Sequence, residues 1–332
     1  MKKLLAAVLL LVLLWSGYWL IASWGTRAGF EAWFEARRAA GWQADYSDLS
    51  VGGYPNRVDV TLEDPALADP ETGLAWRAPF LQVFALSYRP NHVIVAFPDN
   101  QTIGSPRQRF DLESESMRAS MVMTPGTDLA FERANLASDA LTITPEGRDA
   151  TRLTGLNAAL KREGGEDSAD YRLAFNADGL APPLPQGVAL SGDLPKAFKT
   201  FRADATLGFS RPWDISAIED SRPQPRRIKL HLAEAEWGTL RLAAAGTLDI
   251  GRGGTPHGTL TLKARNWRDI LELAKASRTL PAGLADQIAE GLALIARLSG
   301  NPETLDIPLT FSGGLTKIGP VPLGPAPRIF IR

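Results

Sequence analysis

Three histidines, His92, His231 and His257, are the only imidazoles in a chain that has no cysteine. The lack of cysteine removes disulfides, thiolate metal ligands and cysteine nucleophiles, and it suits an oxidising compartment, where a free thiol is a liability. Serine nucleophiles of the hydrolase type sit in Gly-x-Ser-x-Gly, which is absent. His92 opens the second half of an apolar stretch, His231 falls on the polar side of an alternating segment, and His257 lies in a Gly/Pro turn. His231-Leu232-Ala233-Glu234 has the look of a metal fragment. On a strand, however, positions i and i+3 point to opposite faces, so it forms no local ligand set. Glu113/Glu115 and Glu234/Glu236 are spaced i, i+2. That spacing puts both carboxylates on one strand face, where they could serve glycoside chemistry or calcium, but it also describes a solvated polar face. The Gly-rich run 251–258 lacks Gly-Lys-Ser/Thr and has strands on both sides, so it reads as a hairpin turn and not a phosphate loop. The residues therefore predict no enzyme, no cofactor and no metal.

The N-terminus predicts a compartment. After Lys2 and Lys3 there is no charge until Arg27. At about 1.5 Å per residue, the apolar run 4–24 is long enough to cross a hydrocarbon core of about 30 Å. Lys2 and Lys3 favour a cytoplasmic N-terminus, with Trp15, Tyr18, Trp19 and Trp24 toward the opposite interface. A cleaved signal peptide would have a shorter apolar region, and the best small-x-small site, Ser23-Trp24-Gly25, is poor. Either form exports the rest of the chain. A transmembrane anchor is thus expected over 1–25, followed by a juxtamembrane amphipathic helix over 26–40. Thr26 caps that second helix, Phe30, Trp33 and Phe34 form its apolar face, and Gly41 ends it. That face rests either on the membrane interface or on the first strands.

Beyond Trp42 the hydrophobic period becomes two. Val58, Val60 and Leu62 alternate with polar residues, as do Phe201, Ala203, Ala205, Leu207 and Phe209, then Ile228, Leu230 and Leu232, then Leu260, Leu262 and Ala264, then Leu305, Ile307, Leu309 and Phe311. Roughly fourteen such strands are expected, separated by Gly/Pro/Asn turns. Only 80–97 is apolar on both faces, which predicts a place in the middle of the protein. Helices are expected again near 266–300, as a pair opening at Asn266 and Pro281 and ending at Gly300. Such a pair is too small to cover so many strands. The fold class is therefore mainly β: a large antiparallel, curved sheet or sandwich, trough-like, with a C-terminal helical pair and an N-terminal transmembrane helix. The Pro-rich stretches 179–187 and 211–225 suggest a seam, giving an N-terminal β half over 41–190 and a C-terminal β half over 191–332. The Pro-rich end of the chain cannot be a central strand and reads as a strap along a sheet edge.

Gly41-Trp42-Gln43-Ala44-Asp45-Tyr46, Val51-Gly52-Gly53-Tyr54-Pro55, Leu62-Glu63-Asp64-Pro65, Ala75-Trp76-Arg77-Ala78-Pro79 and Ser87-Tyr88-Arg89-Pro90-Asn91-His92 follow one another, and Leu323-Gly324-Pro325-Ala326-Pro327 closes the chain. With the anchor, this set resembles the bacterial domain-of-unknown-function 2125 family, a resemblance that implies a fold but carries no assigned activity. More loosely, the layout is similar to the AsmA-like proteins of the bacterial envelope. Repeated Gly-x-Leu-x-hydrophobic units at 246–250 and 258–262 add to this. That likeness implies an inner-membrane helix followed by a periplasmic curved sheet whose apolar trough shelters acyl chains. The expected function is then a non-enzymatic, inner-membrane-anchored periplasmic protein that binds lipid or another apolar ligand along a β-sheet groove. Its candidate ligand-contacting residues are Phe84, Leu86, Phe201, Leu207, Phe209, Leu230 and Leu260. Membrane lipids are the expected partners, with other envelope proteins as a further class. The alternative is an envelope scaffold that binds proteins through sheet edges and the Pro-rich tail. A net charge of −1 argues against nucleic acid, which needs a positive field.

Overall fold

The computed structural model describes residues 1–126, 128–165, 167–181, 198–219, 221–238, 240–268, 290, 293 and 304–331. The chain divides into two compact units, Met1–Arg148 and Asp149–Arg332. Among the described residues it is mainly β, with all strand pairs antiparallel.

The first unit begins with α1 (Lys2–Ala39), a continuous helix of 38 residues. Its most apolar part has a mean hydropathy of 2.4, and by length and composition it can cross a membrane. The expected break at Thr26 is absent, since no proline interrupts the backbone and Gly25 alone costs only about 1 kcal/mol against alanine. The helix stops where the sequence indicates. Gly41 takes φ 85°, and the amides of Gly41 and Trp42 bond back to the carbonyls of Arg38 and Arg37 at 2.9 Å each, a Schellman end. Phe34 is the buried residue of α1. With Phe30 it packs on Ala44, Leu49, Val60 and Leu62, so the aromatic face rests on the first strands.

Eleven strands follow in this unit: β1 (Gln43–Asp45), β2 (Asp48–Gly52), β3 (Arg57–Glu63), β4 (Ala66–Asp69), β5 (Leu74–Arg77), β6 (Phe80–Leu86), β7 (Arg89–Ala96), β8 (Asn100–Gly104), β9 (Arg109–Glu115), β10 (Arg118–Met123) and β11 (Phe131–Pro145). Their ladder runs β1, β4, β5, β8, β9, β11, β10, β7, β6, β3, β2. The two end strands, β1 and β2, are joined only by Tyr46 and Ser47. That short link brings the two ends of the ladder near one another, so the ladder curls. Residues 80–97 form β6 and β7, interior members of this ladder. Every residue of β6 is half-buried, so both of its faces are partly screened.

The second unit is a meander in which each strand pairs with the next: β12 (Thr151–Glu163), β13 (Asp170–Ala181), β14 (Phe198–Phe209), β15 (Pro225–Trp237), β16 (Leu240–Ile250), β17 (Pro256–Arg265), β18 (Thr304–Ser312), β19 (Leu315–Ile318) and β20 (Val321–Pro325). A short helix, α2 (Ser216–Glu219), interrupts the β14–β15 connection. The seam expected near 190 falls between β13 and β14, which pair from Asp170↔Gly208 to Leu180↔Phe198. Its prolines thus link hydrogen-bonded neighbours, and the compact units meet in sequence at 148–149 instead.

Among the described residues there are twenty strands, where roughly fourteen were expected. The additional ones include β1, β4, β5 and β19, of three or four residues each, too short to display a period. A helical start is present at Trp267 and Arg268, after Asn266. The remainder of the expected helical pair lies outside the described residues, except for Glu290 and Ala293, which are helical.

Candidate functional site

The strands of both units belong to one 20-stranded sheet among the described residues, and the register within the second unit collects the apolar halves of its strands on one face. Tyr171, Leu207, Ile228, Leu248, Gly258 and Phe311 form one row across the ladder, and Leu173, Ala205, Leu230, Gly246, Leu260 and Leu309 form the next. Two more rows follow: Phe175, Ala203, Ala233, Ala244, Leu262 and Ile307, then Ala177, Phe201, Ala235, Leu242, Ala264 and Leu305. The opposite face carries Arg172, Thr206, Lys229, Thr247, Thr259 and Thr310 in one row. Period-two alternation accounts for both faces, because a strand's side chains point alternately up and down.

Gly246 and Gly258 shape this face. They take φ of 150° and 137° and sit where β16 and β17 approach too closely for side chains. A Cβ at Gly246 would lie 2.2 Å from the Thr259 carbonyl, and one at Gly258 would lie 2.3 Å from that of Thr247. Together with the bulge between Leu230 and Ala233, they bend the sheet locally.

The two ends of the apolar face are closed. At one end Leu248, Ile250 and Phe311 are buried under Ala326 and Ile329 of the C-terminal segment. Tyr171, Phe209 and Trp213 stack edge to face beside them, with centroids 5.8 and 5.5 Å apart. Burial pushes the Tyr171 hydroxyl pKa up, and the Trp213 amide donates to that oxygen at 2.9 Å. At the other end Ala264, Trp267 and Leu305 form a buried cluster with Ala293 against it. Between these plugs Leu230, Leu260, Leu262, Ile307 and Leu309 are half-buried, so apolar surface remains accessible along the middle of the face.

Five of the seven candidate ligand-contacting residues, Phe201, Leu207, Phe209, Leu230 and Leu260, come together on this face. Leu230 is in its open middle, Leu260 is half-buried against the Leu248 plug, Phe201 stacks on Phe175 at 5.7 Å, and Phe209 belongs to an end plug. Phe84 and Leu86 are on β6 in the first unit and are no part of it. There the Arg57 guanidinium lies over the Phe84 ring at 5.8 Å. Tyr171, Leu173 and Phe175 were not among the candidates, although their own alternation along 171–177 carries the same signal.

The charged face is satisfied within itself. Arg172 grips Asp204 through two bonds of 2.9 and 2.7 Å, and this pairing holds the Asp204 carboxyl below its usual range. Arg227 meets Asp249 at 3.0 Å, Lys263 meets Asp306 at 3.7 Å, and Lys199 and Arg241 share Glu236. Lys199 and Arg227 are therefore cross-strand partners. His231 Nε2 lies 2.9 Å from Thr206 Oγ1, whose hydroxyl donates to Glu163 at 3.1 Å. A nucleophile–base–acid relay would need the carboxylate on the imidazole, whereas here it is on the threonine. Among the described residues, no group of three or more His, Asp or Glu is placed to hold a metal. Glu113 lines an open cavity of about 840 Å³ in the first unit, with Asp45, Asp64, Arg77 and Asp111.

The C-terminal segment follows the sheet edge as expected. β20 pairs on β19, the amides of Ala326 and Ile329 bond the carbonyls of Gly314 and Gly254, and Gln224 clamps Ile331 through both its amide atoms.

Fold and site together define an antiparallel β protein that carries one membrane-competent helix and presents one long apolar sheet face. The chain belongs to the bacterial family described as "Uncharacterized protein conserved in bacteria (DUF2125)", which it matches over residues 19–327. No curated protein and no solved structure shows significant similarity to it.

Proposed function

We propose that this is a non-enzymatic protein, anchored in the bacterial inner membrane with its β units in the periplasm, that holds a lipid acyl chain or another apolar ligand against the middle of the second unit's apolar face. The observation that carries this reading is the contrast between the two faces. The polar face is knitted by ion pairs, while the apolar face is plugged at both ends and only half-buried between. Each large side chain left exposed there forgoes about 1.5–3 kcal/mol of burial, which a ligand recovers. The same contrast supports a role in envelope lipid homeostasis.

The test is a photoreactive amino acid placed at Leu230 or Leu260 of the full-length protein in cells, with Thr261 as the control on the opposite face. Mass spectrometry should find acyl-bearing adducts at Leu230 and Leu260 and none at Thr261. Protein adducts alone would sink the lipid reading and favour a scaffold. If no residue is catalytic, His92→Ala, His231→Ala and Glu113→Ala should each leave cellular function intact. A folded but inactive variant would argue for an enzyme.

A further inference from the structure

We infer that the β2–β3 and β6–β7 turns of the first unit are themselves inserted in the outer half of the bilayer, beside the helix. This rests on the reading of α1 as a membrane span. The free part of α1 is too short to cross alone. From Leu4 to Leu14 the large apolar side chains are exposed, but beyond Trp15 the sheet reaches the helix. Those eleven residues rise only about 16 Å, against a hydrocarbon core of about 30 Å. A span starting after Lys3 therefore extends to about residue 23, past the contacts with the sheet.

Those contacts are specific. Trp15 Nε1 donates to the Pro55 carbonyl at 3.0 Å, Trp19 Nε1 to Arg57 at 2.6 Å, and the Tyr18 hydroxyl to Ser87 at 2.6 Å. The Trp15 contact lies about 18 Å along the helix from Lys3, so Pro55 is about 12 Å inside the far boundary of the core. Backbone at that depth must be satisfied internally. Much of it is: besides the three carbonyls just named, that of Asn56 accepts from Ser87 and that of Gly53 from the Arg57 amide. The turns present Tyr54 and Tyr88, 54% and 60% exposed, together with Pro55 and Pro90, and at their margins the exposed Asn56, Arg57 and Arg89. Arg57, at the level of Trp19, has its charge paired with Asp59 at 2.7 Å, as a guanidinium near the core boundary requires.

The experiment exploits the absence of cysteine. Full-length protein with a single Cys at Tyr54, Tyr88, Leu11 or Glu63 is labelled with an environment-sensitive fluorophore and reconstituted in phosphatidylcholine nanodiscs. Quenching by doxyl-labelled lipids is then measured. Glu63 is the aqueous control, about 20 Å up β3 from Arg57, and Leu11 reports on the helix. Tyr54→Cys and Tyr88→Cys should show blue-shifted emission and quenching like Leu11→Cys, with Glu63→Cys unquenched. Tyr88 makes the cleaner site, because Tyr54 also bonds Ser16. Quenching at Leu11 with water-like emission at both tyrosine positions would overturn the inference and leave the anchor standing. Water-like emission at all four positions would overturn both.

Discussion

At the scale of single residues, polar atoms at the rim of the apolar face have defined partners, and their removal has calculable effects. Tyr171 is wholly buried and its oxygen accepts the Trp213 amide. Tyr171→Phe keeps the ring but strands a buried N–H, so chemical denaturation of the variant should show a loss of about 1–3 kcal/mol. Asp204 behaves differently because it is exposed. Its folded carboxyl titrates below the ordinary 3.8, held there first by the hydrogen bond from Arg172. The pair therefore stabilises above that value, and its contribution drains away as pH falls below 3.8 toward the lowered folded value. In Asp204→Asn, the melting temperature should depend less on pH in that acid window, while solvent screening keeps the effect at neutral pH small. His231 was legible in the sequence as a residue of the polar face. Its bond to Thr206 was not, because the register shift between β14 and β15, which leaves His231 unpaired on its strand, is set by pairing between strands.

Among the elements, β16 and β17 are the most sensitive. Gly246→Ala would push a Cβ against a backbone carbonyl and strain a φ of 150°, so neither neighbour can yield cheaply. A fall of several degrees in melting temperature is expected, whereas Gly165→Ala, with nothing within 4 Å, should change little. The repeated Gly-x-Leu units announced these two glycines. That they oppose backbone in the adjacent strand only the register revealed. α1 shows the reverse relation. Its C-terminal stop at Gly41 was readable, because a glycine in the left-handed region is a local requirement. Its continuity through Thr26 was not, since a capping residue only permits a break.

For the whole molecule, topology and the two β units make separate predictions. With Lys2 and Lys3 on the cytoplasmic side, a reporter enzyme active only outside the cytoplasm should work when fused after Arg332, and the protein should resist carbonate extraction. A soluble product beginning just after Gly25 would identify a signal peptide instead. Within the second unit, Leu248 is 5% exposed inside an end plug, whereas Leu260, packed on the outside of that plug, is half-buried. Leu248→Asp buries an unpaired charge and should unfold the unit. Leu260→Asp can keep its carboxylate wet, so it should fold, with a modest drop in melting temperature, and lose the lipid adduct. Equal collapse of both variants would show that this face is closed.

The sequence by itself determined the one helix able to span a membrane, the antiparallel β class and the strand faces. These follow from local rules: charge-free length, a period of two, and turn residues at fixed positions. It also located Leu230 and Leu260, because alternation alone says which side of a strand is dry. Tertiary structure decided what each dry face meets. Phe84 and Leu230 both lie in apolar strand segments, yet Phe84 lies under Arg57 in an interior strand of the first unit's ladder. Leu230 sits in a meander whose apolar middle is left half-covered. Periodicity records the direction of a side chain, and only strand order and register determine which residues it faces.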